Sequence, residues 1–203
     1  MQFLFLIGVF LLGSFPTGVV VAAAKGVDLR KVGSGSIGTA NVGRALGRTW
    51  AALVLVVDAG KGFLPVWLAA RLFDPGWLPA CAGLVAVLGQ VFSVFLKGRG
   101  GKGVATSLGA GLALAPLPAL ACVALWVALF GAFRVSSIGS LAAVASFPTF
   151  LWLLHAGTLF NLAFAGATGL LVFVRHKDNI RRLLRGEELR LRRIPVDPSD
   201  ESS

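Results

Sequence analysis

Seven apolar runs, the first two separated by a long glycine-rich basic loop and the others by short breaks, restrict this chain to a bundle of membrane helices. They cover roughly Phe3–Ala24, Trp50–Leu72, Leu78–Leu96, Val104–Ala115, Pro118–Phe133, Ile138–Leu154 and Thr158–Val174. A helix gains only ~1.5 Å per residue, so about 20 apolar residues are needed to cross a bilayer. Only 14% of residues are charged and 56% are hydrophobic, whereas a soluble domain carries about 25% charge. The expected fold is an all-α integral membrane protein of about seven transmembrane helices. One domain is expected over residues 1–192, followed by a polar, disordered tail over 193–203 that contains Pro195 and Pro198. The run Val104–Ala115 is too short to cross alone. It predicts a half-helix, or one continued by irregular backbone that neighbouring protein must shield.

The charge pattern sets an orientation. Of the 19 Lys and Arg residues, 17 fall on one side of the proposed spans; Lys61 lies inside a span and Arg71 at the opposite end. Basic residues collect on cytoplasmic loops, which predicts a cytoplasmic C-terminus and, with seven crossings, an outside N-terminus. Ala22-Ala23-Ala24 resembles a signal-cleavage site. The first run nevertheless lacks a basic segment before it and has one after it, which predicts an uncleaved span. The net charge of +10 follows from this topology, and with no recognition motif beside it nucleic acid is excluded as a partner. Cys81 and Cys122 sit in apolar runs as small buried hydrophobes, and His155 and His176 have no Cys or carboxylate at ligand spacing, so no metal is expected.

Between two of the runs lies Lys97-Gly98-Arg99-Gly100-Gly101-Lys102-Gly103, with three cations and four glycines in seven residues. Glycine lets backbone approach a ligand closely, and the helix start that follows presents unpaired amides, a combination suited to a phosphate. A stop-transfer signal would need the charge but not the glycines. Lys102 is followed by Gly103 and not by Ser or Thr, so this is no nucleotide-binding Walker loop.

Three more segments face the same side. The first loop, Val32 to Arg44, carries Gly33, Ser34, Gly35, Asn41 and Arg44. Its glycines match a dinucleotide fingerprint only by accident, because no βαβ unit surrounds them. Ser137 and Ser140 share one face of a helix start, suited to helix packing or to donating to a phosphate. In Arg175–Glu188, His176 and Asn179 share a face, with Ile180, Leu183 and Leu184 forming an apolar stripe typical of an interfacial helix. Asp58 and Lys61 lie one turn apart within a span. Intramembrane charges pair, and a structural charge pair is the expectation.

Together these segments resemble the bacterial acyl-phosphate:glycerol-3-phosphate acyltransferases, the PlsY family. The resemblance runs from about Gly13 to Leu191. It is carried by Gly13-Ser14-Phe15-Pro16-Thr17-Gly18, by Val32-Gly33-Ser34-Gly35 with Asn41 and Arg44, and by Asp58-Ala59-Gly60-Lys61-Gly62. It continues in Gly100-Gly101-Lys102-Gly103-Val104-Ala105-Thr106, in Ser137 and Ser140, and in Arg175-His176 with Asn179-Ile180 and Leu183-Leu184. The resemblance implies a multi-pass protein of the bacterial plasma (inner) membrane with a cytoplasm-facing active site and no cofactor. It implies transfer of an acyl chain from acyl phosphate to the 1-hydroxyl of glycerol 3-phosphate, giving lysophosphatidic acid and phosphate in phospholipid synthesis. The implied catalytic residues are Lys102, Ser34, Ser140 and His176. Arg44, Lys102, His176 and Asn179 would hold glycerol 3-phosphate, while Ser34, Lys102 and the backbone of Gly33, Gly35, Gly100, Gly101 and Gly103 would hold the acyl-phosphate head. Ser140 and Asn41 complete the substrate-binding set. The expected partners are these two substrates and membrane lipids, with a monomer sufficient for activity.

The chain departs from the family at Gln90, where His is usual, at Ser36, where Asn is usual, and in Gly38-Thr39-Ala40-Asn41, where Gly-Ala-Thr-Asn is usual. Gln90 exchanges no proton near neutral pH, so an active enzyme needs no base there. Deprotonation is left to His176 or to the substrate's own phosphate, and the cationic surroundings favour the phosphate. A transporter for a phosphorylated solute is the rival reading, since broken helices and glycine loops suit one, but the basic motifs crowd one surface and no repeat is visible. A lipid-binding protein without activity would explain the basic tail and not Ser34, Ser140, His176 and Asn179.

Overall fold

The computed structural model describes residues 1–73 and 76–191. The tail expected over 193–203 lies outside the described residues. The described chain is helical, and all seven apolar runs form helices: α1 (Gln2–Ser14) with α2 (Thr17–Ala23), α4 (Arg48–Leu72), α5 (Leu78–Val91), α6 (Val104–Leu114), α7 (Pro116–Phe133), α8 (Ser136–Leu153) and α9 (Leu159–Arg175). Two short helices, α3 (Thr39–Leu46) and α10 (Lys177–Leu184), lie in the basic segments. Outer faces carry exposed apolar side chains such as Phe3, Val127, Trp152 and Leu170. The chain is an all-helical integral membrane protein.

Five stretches are long and apolar enough to cross a membrane, and a sixth is made by α9 with α10, bent by 60°. Length and composition thus support five or six crossings, where the sequence predicts about seven. The difference is α6. Its 11 residues reach only ~16 Å, about half of a hydrocarbon core. It ends at Ala115, which is buried, and α7 begins on the next residue with Pro116. Ala115 itself is shielded by protein, as irregular backbone at depth requires, while Leu117 at the start of α7 faces outward.

Small residues bring α6 into the bundle. A Cβ on Gly109 would lie 1.8 Å from the Ala59 carbonyl oxygen of α4, and one on Gly62 would lie 2.0 Å from that of Thr106. Between membrane helices, where lipid is as apolar as leucine, such close backbone approach supplies the attraction. This contact fixes the height of α6 against α4 and so places the start of α6 beside Asp58 and Lys61.

Proline shapes the other side of that region. Pro16 interrupts α1–α2 because it has no amide hydrogen to continue the ladder. The Phe15 carbonyl beside the break accepts from Thr17 N–H at 3.0 Å and from Lys61 Nζ.

Candidate active site

The loop Lys97–Gly103 is seated on the end of α5. Gly100 N–H donates to the Val91 carbonyl at 3.1 Å and Gly101 N–H to that of Gln90 at 2.8 Å. The last carbonyls of a helix have no partner of their own, so they compete for these amides. A Cβ on Gly100 would lie 2.2 Å from the Gln90 oxygen, so only glycine fits. Arg175 holds the other side of the loop, donating from Nη2 to the Gly100 carbonyl at 2.9 Å and from Nε to that of Gly101 at 3.3 Å. Both amides, expected to face a substrate phosphate, donate here to the end of α5, and Gly100 still lines the cationic cavity. Gly103, at φ 80°, turns the chain into α6, whose first-turn amides have no partner within the helix. Thr106 and Ser107 in that turn carry buried hydroxyls without a hydrogen-bond partner.

The first loop is organised by Asn41. Its Oδ1 accepts from Ser34 N–H at 3.0 Å, while Nδ2 donates to the carbonyls of Leu29 and Val32, both at 3.0 Å. Asn41 is 1% exposed. Its amide holds the loop together, and the residue lines the second cavity. Gly33 and Gly35 take positive φ values of 57° and 67° that bring Ser34 round toward the cavity. From α3, buried Arg44 donates to the Leu189 carbonyl at 3.0 Å and the Arg190 carbonyl at 3.4 Å.

The segment after α9 supplies the remaining groups. His176 sits at the bend before α10, and its Nδ1 lies 2.8 Å from the Val172 carbonyl. A carbonyl only accepts, so Nδ1 carries the proton and Nε2 keeps its lone pair. Burial, and then the charge of Lys102, push the imidazole down to about 4 against the opposing effects of the Val172 hydrogen bond and Glu188. His176 is therefore neutral at pH 7. Asn179 accepts from Lys102 Nζ and donates from Nδ2 to Glu188. Glu188 also accepts from Ser137 Oγ at 2.9 Å and Arg182 Nε at 2.7 Å. Burial pushes its carboxyl up, but hydrogen bonds from Asn179, Arg182 and Ser137 outweigh burial and hold it below its ordinary value. Ser140, one turn beyond Ser137, accepts from Trp126 Nε1 at 3.3 Å.

Burial is the largest influence on Lys102 too. It lowers the ammonium to about 8; Glu188 opposes this, and Arg182, Arg44 and Arg175 reinforce it.

Beneath these loops Asp58 Oδ1 lies 2.6 Å from Lys61 Nζ, and both side chains are 3% exposed. Lys61 also donates to Phe15 O and to Gln90 Oε1, the latter at 3.2 Å. Asp58 accepts from Thr17 Oγ1 at 2.9 Å and Gln90 Nε2 at 3.2 Å. All three ammonium hydrogens have acceptors, the condition under which a buried pair is tolerated. Gln90 binds both ions through one amide. A neutral amide thus fills the position without proton exchange.

Two cavities meet at this place. One, of about 870 Å³, is walled by Arg30, Lys97, Arg99, Arg175, Lys177 and Arg182 among others. The second, of about 460 Å³, runs between α4, α6, α7, α8 and α9 with a mainly apolar lining. They share Ser34, Ser36, Lys102 and Asn179. Arg44, Ser140 and His176 line the second at its polar end. The structure thus gathers Ser34, Arg44, Lys102, Ser140, His176 and Asn179 around one junction. Sequence reasoning passes over Glu188, Arg182 and the hydroxyl of Thr106. Glu188, one of two adjacent glutamates among arginines, is visible in the sequence, but its partners on α8 and α10 are not.

The model of the family described as glycerol-3-phosphate acyltransferase matches residues 3–186. A glycerol-3-phosphate acyltransferase of Aquifex aeolicus is 45% identical over 94% of this chain and 100% of that protein. One of Rubrobacter xylanophilus is 46% identical over 88% of this chain and 89% of its own length. The solved structure of PlsY (YgiH), an integral membrane glycerol 3-phosphate acyltransferase, in its glycerol 3-phosphate form superposes with a TM-score of 0.89 at 41% identity, covering 93% and 94% of the two chains. Its lysophosphatidic acid form gives a TM-score of 0.87 at 39% identity over the same shares. Sequence and backbone agree over nearly the whole length, and the chain belongs to the glycerol-3-phosphate acyltransferase family, PlsY.

Proposed function

We propose that this acyltransferase takes its acyl chain from acyl phosphate and places it on the 1-hydroxyl of glycerol 3-phosphate, releasing lysophosphatidic acid and inorganic phosphate. The observation that carries the reading is the meeting of a cationic cavity and an apolar one at Lys102. A water-soluble dianion fits the first, an acyl chain fits the second, and an acyl phosphate spans the boundary. The basic end faces the cytoplasm of a bacterial cell, in its plasma membrane, because cations collect on that side. One copy contains every group the reaction uses.

Arg44, His176 and Asn179 hold glycerol 3-phosphate. Lys102, Ser34 and the first-turn amides of α6 hold the acyl-phosphate head, and Ser140 donates beside it. The glycerol hydroxyl attacks the acyl carbonyl, the carbonyl carbon–phosphate oxygen bond breaks, and phosphate leaves with the bonding pair. Lys102 offsets the charge that grows on the departing phosphate. Alignment of the two substrates lowers the barrier by about 7–11 kcal/mol when geometry is favourable. The hydroxyl proton passes to a substrate phosphate. His176, pushed down to about 4, is too weak a base to compete near neutral pH and serves as a hydrogen-bond partner through Nε2.

Purified protein given palmitoyl phosphate and glycerol 3-phosphate is expected to form lysophosphatidate and phosphate in equal amounts. Flux of glycerol 3-phosphate through liposomes without acyl transfer would establish a transporter instead. His176→Ala is expected to raise KM for glycerol 3-phosphate more than it lowers kcat. Normal binding with loss of the chemical step would make His176 the base.

Activity also depends on the charge of Lys102. Its ammonium, lowered to about 8, deprotonates as pH rises, so kcat/KM should fall through about pH 8. Lys102→Arg, which stays charged, should move that fall to higher pH. An alkaline limb at the same pH in both enzymes would assign it to another group.

A further inference from the structure

We propose that the Phe147–Phe164 pair is the floor of the apolar cavity and sets the longest acyl chain that this enzyme transfers efficiently. The proposal rests on the reading that this cavity takes the acyl chain.

Four helices end their contribution to the cavity at one depth. On α8, Ser140, Val144 and Phe147 line it, whereas Leu151, one turn further, is fully buried against Ala115 and Ala165. On α6 the lining ends at Gly111, and Ala115, one turn on, belongs to that same sealed cluster. On antiparallel α7, Trp126, Cys122 and Ala119 line the cavity, and Pro118 beyond them is fully buried. On α9 the lining runs from Thr168 to Ala165 and Phe164. Ser140 and Phe147 are two turns apart, so the shaft below the serine is ~10 Å deep.

The floor is made of two rings. The Phe147 and Phe164 centroids are 6.4 Å apart with an interplanar angle of 87°, an edge-to-face contact. Phe164 is 2% exposed and clamped among Val66, Ala80 and Ala110. Gly83 sits so close that a Cβ there would lie 3.1 Å from the ring. Phe164 is therefore fixed, and Phe147 leans on it. Opposite stands Gly111, where a Cβ would lie 3.3 Å from Phe147 Cζ and 3.6 Å from the Ala119 Cβ. Small residues on α6 and α7 leave the shaft open, and the rings close it. A chain longer than the shaft has to fold back or leave between helices, and either loses apolar contact in the transition state.

The test uses the full-length enzyme and a ladder of octanoyl, lauroyl, palmitoyl and stearoyl phosphates. An extended chain of about eight carbons fills a shaft of that depth, so removing the ring in Phe147→Ala should raise the lauroyl-to-octanoyl ratio of kcat/KM about tenfold, within the range that pocket fit supplies. Ala119→Leu fills the shaft from α7 and should lower the same ratio by about as much, even if Phe147→Ala collapses or fails to fold. Unchanged ratios in folded variants overturn the proposal. A ratio moved by Ala119→Leu alone, with folded Phe147→Ala unchanged, overturns the role of Phe147. Wild-type enzyme inactive on every acyl phosphate would instead overturn the donor assignment, and the same ladder offered as another activated acyl donor would still test the floor.

Discussion

Replacing Lys102 with methionine is expected to lower kcat/KM about a thousandfold while the protein stays folded. Loss of one preorganised charge or donor at a developing oxyanion costs about 10²–10³ in rate. Lys102 stands where both cavities meet, so in the proposed reaction it lies beside both substrates. The fold does not depend on its charge. The folded chain binds this proton more weakly than the unfolded chain, about 8 against an ordinary 10.5. The ammonium therefore lowers stability in full below about pH 8, and that cost fades as pH rises toward 10.5. Methionine removes the cost and keeps most of the volume. The losses are one hydrogen bond, to Asn179, and the chemistry. Thermal unfolding in detergent should shift little while initial rates collapse. Turnover within tenfold of wild type would place the departing phosphate elsewhere. A glutamate at 102 is a poorer test, because it would face Glu188.

The opposite outcome is expected one layer deeper. Asp58→Leu should cost about 3–5 kcal/mol of stability, because it leaves a buried ammonium without its counter-ion. Lys61 would retain only Phe15 O and Gln90 Oε1, both neutral, and Thr17 would lose its acceptor. The double variant Asp58→Leu/Lys61→Met removes both charges and should regain most of the loss, since a buried pair is worth little against an apolar replacement. The measurement is a double-mutant cycle on unfolding in detergent, with acyl transfer assayed alongside. A single variant as stable as wild type would mean that the pair does not support the bundle. A double variant that regains stability but has lost turnover would show that the pair also acts on the site, through Gln90 and the loop it seats.

The membrane class, the helical segments and the residues around the junction are legible without coordinates. Apolar run length alone identifies α4 and α5. The short run before Ala115 announces α6 as a partial span, because 11 residues cannot reach across whatever surrounds them. The helix α3 is not legible. At 8 residues it is below the length at which an isolated helix holds, and it exists because Val42 and Ala45 pack against Leu29 and Val54. The glycine loop shows the limit most clearly. Gly100 and Gly101 look like ligands for a phosphate, and both amides bond to the end of α5. A glycine that approaches a ligand and one that approaches another helix are the same letter.

Membership in the helical membrane class and the collection of cations on one face follow from the sequence by itself. Both depend on totals, namely apolar length against bilayer thickness and charge against side, and totals survive without knowledge of partners. The partners themselves were decided only in the tertiary structure. Lys61 finds Phe15, 46 residues away, Asn179 finds Lys102, 77 away, and Arg44 finds Leu189, 145 away. Such pairs depend on the height at which helices lock. Here that height is set by two glycine contacts between α4 and α6, a geometric condition that no local pattern of residues encodes.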